Sequence, residues 1–296
     1  MKAPLQLKDL IEDGLVDEVV GQLMSGKEAD VYIVRCGAEL RCAKIYKDEE
    51  RRSFRQAVQY TEGRKVRNSR RARAMKKATR FGRKESEIEW HNTEIEALKT
   101  LDAAGVRVPR PYFCLDGVLL MELITNAQGE VAPRLADTAP SSESALQQHA
   151  MVMNSIIRML CEGLVHGDLS EFNVLVNEQG PVIIDLPQAV DAAANNHARS
   201  MLERDVNNIT RYYARYAREL KGRLYALEIW TLYQAGKLRP DTQLTGRATE
   251  ETHTADVDGV VEEINAAIAI EQHRRENVEQ NRAVNNRLRD RKPTSR

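Results

Sequence analysis

The sequence predicts an α+β chain in two lobes, an antiparallel sheet with one main helix followed by a helix-rich half. Three observations carry this. Short apolar runs broken by Gly-containing turns fill residues 20–49 and 106–124. Between them, 87–105 places Ile88, Ile95, Leu98 and Leu101 at helical spacing. Beyond residue 144 the long periodic stretches are mostly helical.

Taken in order, Leu5, Leu7, Leu10, Ile11 and Leu15 form a partly helical stripe that Gly14 breaks, with a strand approach following to residue 23. "VGQLMSGKEADVYIVRCGAELRCAKIYKDE" then reads as strand, tight loop, strand, a turn at Cys36–Gly37 and a third strand ending near Lys44. The helix of 87–105 stops at Gly105. "VRVPRPYFCLDGVLLMELI" reads as two strands joined at Asp116–Gly117, a hairpin signal. After a polar connector at 125–144, the helical stretches are interrupted by one short strand pair, Val174–Val176 with Val182–Ile184. The expected division is an N-terminal lobe 1–124 with a basic, flexible segment at 50–90, a C-terminal lobe 125–235, and a polar, charged tail 236–296, helical around Val257 to Ile270 or disordered.

Composition narrows the function classes. Lys plus Arg and Asp plus Glu are 44 each, so net charge exerts no global pull toward nucleic acid or membrane. An aromatic share of 5% disfavours a base-stacking surface. Cys36, Cys42, Cys114 and Cys161 have no CxxC spacing, which points to a reduced, cytoplasmic setting. No apolar run reaches the roughly 18 residues a membrane span needs, and no secretory h-region is expected at the amino terminus. The one strong asymmetry is 64–84, with eleven Lys or Arg and no Asp or Glu. It reads either as a solvated segment or as a phosphate or nucleic-acid contact surface.

Three clusters carry candidate chemistry. In "SGKEADVY", Ser25, Gly26 and Lys27 occupy a loop between strands where free N–H groups allow a phosphate to approach. It is not a Walker loop, and alone it reads as a surface hairpin. Lys44, between Ala43 and Ile45 in a strand, has a buried stem and needs an anionic partner, for which Glu94 is the candidate. Such a pair is either structural or a device that holds the ammonium on nucleotide phosphates. In "LVHGDLSEFNVLV", Asp168 and Asn173 follow the H-x-D-x4-N spacing, and Asp185 ends the strand of "GPVIIDLPQAVD". A carboxylate near an acceptor hydroxyl and oxygen ligands for Mg²⁺ are what phosphoryl transfer requires. His166 reads as a structural hydrogen-bonding residue.

Together, "SGKEADVY", "CAKIYK", "VRVPRP", "MELI", "HGDLSEFNVLV", "IIDLPQAVD" and "RDVNNITRYY", in that order over about residues 5 to 220, resemble the RIO family of atypical serine/threonine protein kinases. The resemblance implies a two-lobed protein-kinase-like fold whose C-lobe lacks an activation segment, consistent with the missing APE-like sequence after Asp185. It implies that Ser25 and Lys27 belong to the phosphate-side loop and that Lys44, paired with Glu94, contacts the phosphates. Met121 would stand behind the adenine, and main-chain groups of Glu122 and Ile124 would hydrogen-bond it. Asp168 would be the catalytic aspartate, Asn173 a metal ligand, and Asp185 a metal ligand that in this family can also accept phosphate. Pro187 departs from the small hydroxyl residue common there, and 54–90 is more basic than the family's flexible loop. The winged-helix domain of one branch is not expected, since only about twenty residues precede the phosphate loop.

The implied cofactors are ATP and Mg²⁺ (or Mn²⁺), and the implied partner is an unknown protein substrate. Three functions follow as expectations: a Ser/Thr phosphotransferase that also phosphorylates itself; an ATPase switch that grips RNA or a ribosomal particle through 64–84 during ribosomal-subunit maturation; and a small-molecule kinase, against which "SGKEADVY" and "RDVNNITRYY" argue.

Overall fold

The computed structural model describes residues 4–26, 29–47 and 94–247. Helix α1 (Leu5–Glu12) buries Leu7 and Leu10. It ends as the sequence predicts: Gly14 takes φ +71°, and the N–H groups of Gly14 and Leu15 close on the carbonyls of Ile11 and Leu10 at 3.0 and 2.9 Å. This doubly hydrogen-bonded stop needs a residue that tolerates the left-handed region.

Strands β1 (Glu18–Ser25), β2 (Ala29–Cys36), β3 (Glu39–Tyr46), β4 (Pro111–Leu115) and β5 (Val118–Glu122) form one antiparallel sheet in the order β1-β2-β3-β5-β4. Asp116 and Gly117 join β4 to β5 with φ +48° and +76°, both positive as a type I′ turn demands. β3 runs on to Tyr46, two residues beyond the expected end, because both of its faces are covered there. Ala43 and Ile45 pack with Leu7, Leu10, Val118 and Leu120 under α1. The alternate set, Cys42, Lys44 and Tyr46, faces the other way, toward the second helix (α2, described over 94–103) and the rest of the chain. Strand alternation therefore aims Lys44 off the α1 face and into the cleft.

The second half is built on α3 (Ser142–Cys161), capped by Ser141, whose Oγ accepts the Ser144 N–H at 3.2 Å, and on α4 (Ala198–Tyr213) and α5 (Tyr225–Gln234). Val152, Ile156, Leu160, Val206, Ile209 and Ile229 make up much of its core. Two two-stranded ladders lie on it, β6 (Leu164–Val165) with β9 (Val190–Asp191), and β7 (Val174–Asn177) with β8 (Gly180–Ile183). Against the expected spans, β7 ends one residue later, and β8 starts two residues earlier and ends one earlier. Ile184 leaves the ladder because the chain turns at Asp185, φ +69°, although the Ile184 N–H still reaches the Asn173 carbonyl at 3.0 Å. Only residues 186–197 separate Asp185 from α4.

Residues 236–246, which open the polar stretch, bury Leu238 and hand the N–H groups of Thr245 and Gly246 to Glu228. The expected helix at 257–270 and the basic segment 64–84 lie outside the described residues. No described helix is long and apolar enough to cross a membrane.

One core histidine makes the fold acid-sensitive. His149 is buried against Tyr213 and Tyr225, its Nε2 is 3.1 Å from the Thr210 hydroxyl, and burial pushes its pKa down to about 4. A folded-state value below the ordinary 6.5 means the unfolded chain binds the proton more readily. The associated stability is present above pH 6.5 and is lost as pH falls toward 4, by up to about 3 kcal/mol. Urea titrations of wild type and His149→Gln should show a difference that shrinks by that amount over this window.

Candidate active site

Lys44 sits at the centre of the cleft. Its Nζ lies 2.8 and 2.9 Å from the two Glu94 oxygens and 2.7 Å from Asp185 Oδ1. The Lys44 and Glu94 side chains are 10% and 2% exposed, whereas Asp185 keeps 43%. Tyr46 donates its hydroxyl to Glu94 as well. Burial alone would depress the Lys44 ammonium, but the facing Asp185 and Glu94 carboxylates outweigh it and raise its pKa. The same ammonium, acting against partial burial, holds Asp185 below the usual carboxylate range. Both groups are therefore charged at neutral pH, and Asp185 is the partner that still faces solvent.

The Asp168 loop is held from below. Asp205, buried on α4, accepts the N–H groups of Gly167 and Leu169 at 2.8 and 2.9 Å. Arg204 donates to the Gly167 carbonyl, and Asn208 Nδ2 reaches the Leu169 carbonyl at 3.3 Å. His166 accepts the Asp168 N–H on Nδ1 at 3.3 Å, so its Nε2 carries the proton and faces the Ile184 carbonyl at 3.1 Å. Burial lowers its pKa and keeps the ring neutral, which fits a structural link between the loop and the approach to Asp185. Asp168 itself is exposed, and partial burial, opposed by His166 and Arg204, raises its pKa. Asn173 Nδ2 donates to the Asp168 carbonyl at 2.8 Å, which fixes the amide and leaves Oδ1 as its free acceptor.

The other expected site residues are distributed as follows. Ser25 is at the exposed end of β1, where Lys47 Nζ reaches its hydroxyl at 3.1 Å and the Gly26 carbonyl at 2.9 Å. Lys27 lies outside the described residues. Met121 stands opposite Cys42, on the Lys44 face of the sheet. The Glu122 N–H is taken by the Arg110 carbonyl and the Ile124 carbonyl by the Ala132 N–H, both at 2.9 Å. Lys44, Glu94 and Asp185 are thus in direct contact, and Asp168 and Asn173 share one loop beside them.

Sequence reasoning missed Asp205, Arg204 and Lys47, and also Arg134, one of the charges that lower Asp185 and whose Nη2 lies 2.6 Å from Met24 Sδ. For Asp205 a signal existed: an acid on the apolar face of α4, between Leu202 and Val206. Burial raises its pKa to about 7. Asp205→Ala would orphan two buried N–H donors, so a loss of roughly 2–5 kcal/mol is expected in urea unfolding at pH 8.

Among the described residues, no cluster of three or more His, Cys, Asp or Glu could hold a metal ion. Asp185 and Asn173 alone offer two oxygen ligands. That set suits Mg²⁺, which keeps several waters and takes its remaining ligands from phosphates.

Comparison with known proteins supplies the wider context. A family model described as the RIO domain matches residues 30–224. The RIO-type serine/threonine-protein kinase Rio1 of Haloferax volcanii is 31% identical over 216 residues, covering 72% of this chain and 69% of that protein. Serine/threonine-protein kinase RIO1 of Chaetomium thermophilum is 30% identical over 70% of this chain, but the match spans 41% of its own length. Human serine/threonine-protein kinase RIO1 is 29% identical, and the match spans 35% of its length. Among solved structures, the crystal structure of the Chaetomium thermophilum Rio2 kinase-ADP/Mg²⁺-phosphoaspartate complex superposes with TM-score 0.55 over 89% of this chain and 76% of that one, at 23% identity.

Proposed function

We infer the function from one premise: the chain belongs to the RIO family, and the relatives it matches are named serine/threonine-protein kinases. It is an ATP-dependent protein kinase that transfers the γ-phosphoryl group to Ser or Thr hydroxyls, its own included. The observation that carries this reading is the buried ammonium of Lys44 shared between Glu94 and the solvent-facing Asp185. A structural ion pair needs one partner. The second carboxylate, ionised and half-open, is available to exchange the ammonium for a divalent cation.

In this reading Glu94 retains Lys44, whose ammonium turns from Asp185 to the nucleotide phosphates. Mg²⁺, or Mn²⁺ in its place, would be held by Asp185 and Asn173 and would supply charge neutralisation on the phosphate oxygens. The adenine contacts left at the hinge are the Glu122 carbonyl and the Ile124 N–H, since their counterparts are engaged within the protein. Met121 closes the back of the adenine pocket, and Ser25 with Lys27 lies over the phosphates. Asp168 accepts the hydroxyl proton as the acceptor oxygen bonds to phosphorus, while the bond to the β-phosphate oxygen breaks and ADP leaves with the electron pair. The lobes we propose are 1–124 and 125–235, with 236–246 packed onto the second, and the proposed setting is cytoplasmic.

Asp185 favours a second reading. Its exposed, ionised carboxylate can itself attack the γ-phosphorus, forming an acyl phosphate as the bond to the β-phosphate oxygen breaks and ADP leaves, and hydrolysis of that acyl phosphate makes the protein an ATPase switch. The Rio2 relative is named as a phosphoaspartate complex. That cycle would suit assembly on RNA or a ribosomal particle through 64–84. Incubation with γ-labelled ATP and Mg²⁺ separates the two: label stable to hydroxylamine on Ser or Thr supports the kinase, and hydroxylamine-sensitive label supports the switch. ATP binding without any labelling or ADP release contradicts both.

A further inference from the structure

A cavity of about 430 Å³ opens beside the C-terminal half of α4, lined by Arg211, Arg215, Lys221 and Arg223 with Asn207 and Thr210, and by no carboxylate. Arg211, in the last turn of α4, and Arg215, just past its end, are both exposed. Among the described residues their neutralisation is poor. Arg211 Nη1 meets only the Asn208 amide oxygen, at 3.4 Å, and Arg223 reaches only main-chain carbonyls, those of Glu219 at 3.0 Å and Thr245 at 3.5 Å. Among the described residues Lys221 has no carboxylate partner, and the one carboxylate within ion-pair distance of the four cations is Glu171, 3.6 Å from Arg215.

That acid fixes the location of the cavity. Glu171 lies in the loop between Asp168 and Asn173, and Asn208, which contacts Arg211, also donates to the Leu169 carbonyl. The cations therefore gather against the loop that carries Asp168 and Asn173. A concave wall of one sign concentrates the opposite charge next to it.

We propose that this cavity is a docking subsite for acidic side chains, carboxylate or phosphate, that flank the acceptor Ser or Thr of a polypeptide substrate. The inference rests on the protein-kinase reading and gives that reading a substrate class. Arg211, Lys221 and Arg223 supply the charge, while Arg215, already turned toward Glu171, joins the subsite to the catalytic loop.

The test uses the full-length protein and three decapeptides with one acceptor Ser, flanked by Asp and Glu, by Asn and Gln, or by phosphoserine. Transfer from labelled ATP gives kcat/KM, and fluorescence anisotropy gives peptide affinity without turnover. An advantage of about tenfold or more for the acidic over the amide peptide, expressed in KM, is expected. The double variant Arg211→Ala/Lys221→Ala should erase it and leave the amide peptide rate and the KM for ATP unchanged. The phosphoserine peptide shows whether phosphate is preferred to carboxylate. Equal use of acidic and amide peptides, or a preference that survives in the double variant, overturns the proposal while the kinase reading stands. Tighter binding of polyuridylate than of the acidic peptide, lost in the same variant, also overturns it in favour of a nucleic-acid surface. Selective binding of acidic peptides with no transfer to any of them, and no self-labelling, supports the subsite and removes the kinase reading.

Discussion

Replacing Asp168 by Ala is expected to slow phosphoryl transfer by roughly 10²–10⁴-fold, the usual range for a positioned acid or base, with the fold and ATP affinity intact. The separation of effects follows from the geometry. Asp168 is exposed, and the contacts that hold its loop are made by main-chain groups to Asp205, Arg204 and His166 rather than by its own carboxylate. Truncation removes the proposed proton acceptor and leaves those bonds in place. A single-turnover rate with labelled ATP, measured with equilibrium nucleotide binding, checks it. A rate within a few-fold of wild type would remove Asp168 from the mechanism.

Lys44→Met carries the largest expected effect on stability. Glu94 is 2% exposed, and its carboxylate would stay in the interior facing a thioether. Breaking a buried pair by removing one partner costs about 3–5 kcal/mol, because the remaining charge is uncompensated. Asp185, 43% exposed, can be rehydrated and adds little to the loss. The double variant Lys44→Met/Glu94→Gln should recover much of the stability measured by urea unfolding, yet recover no ATP binding. Full stability in Lys44→Met alone would show that Glu94 is solvated or protonated in the folded state.

Much of the fold was legible because its signals are local. Asp116–Gly117 demanded a tight hairpin, Gly14 and Gly105 ended helices, and short apolar runs between turns announced β3 and β5. Glu94 was named as the partner of Lys44 only because a buried ammonium must have one. The contact between them spans fifty positions and is a tertiary fact. Asp205 stands out as an acid on the apolar face of α4, but what it braces was out of reach for the same reason. Asp205 meets Gly167 from 38 residues away, and nothing near "HGDLSEFN" marks which helix supports it. The basic cavity beside α4 was hidden by composition, since equal totals of acids and bases conceal a local excess.

The most direct test of the central claim, that Lys44, Glu94, Asp168, Asn173 and Asp185 form one nucleotide-dependent transfer site, is a crystal structure with a non-hydrolysable ATP analogue and Mn²⁺, the metal located by anomalous scattering. The account predicts the metal peak between Asp185 and Asn173, and Lys44 Nζ moved from Asp185 to the phosphates while still held by Glu94. A nucleotide bound elsewhere, or one bound in the cleft with the Lys44–Asp185 pair intact and no metal at Asp185, would contradict it.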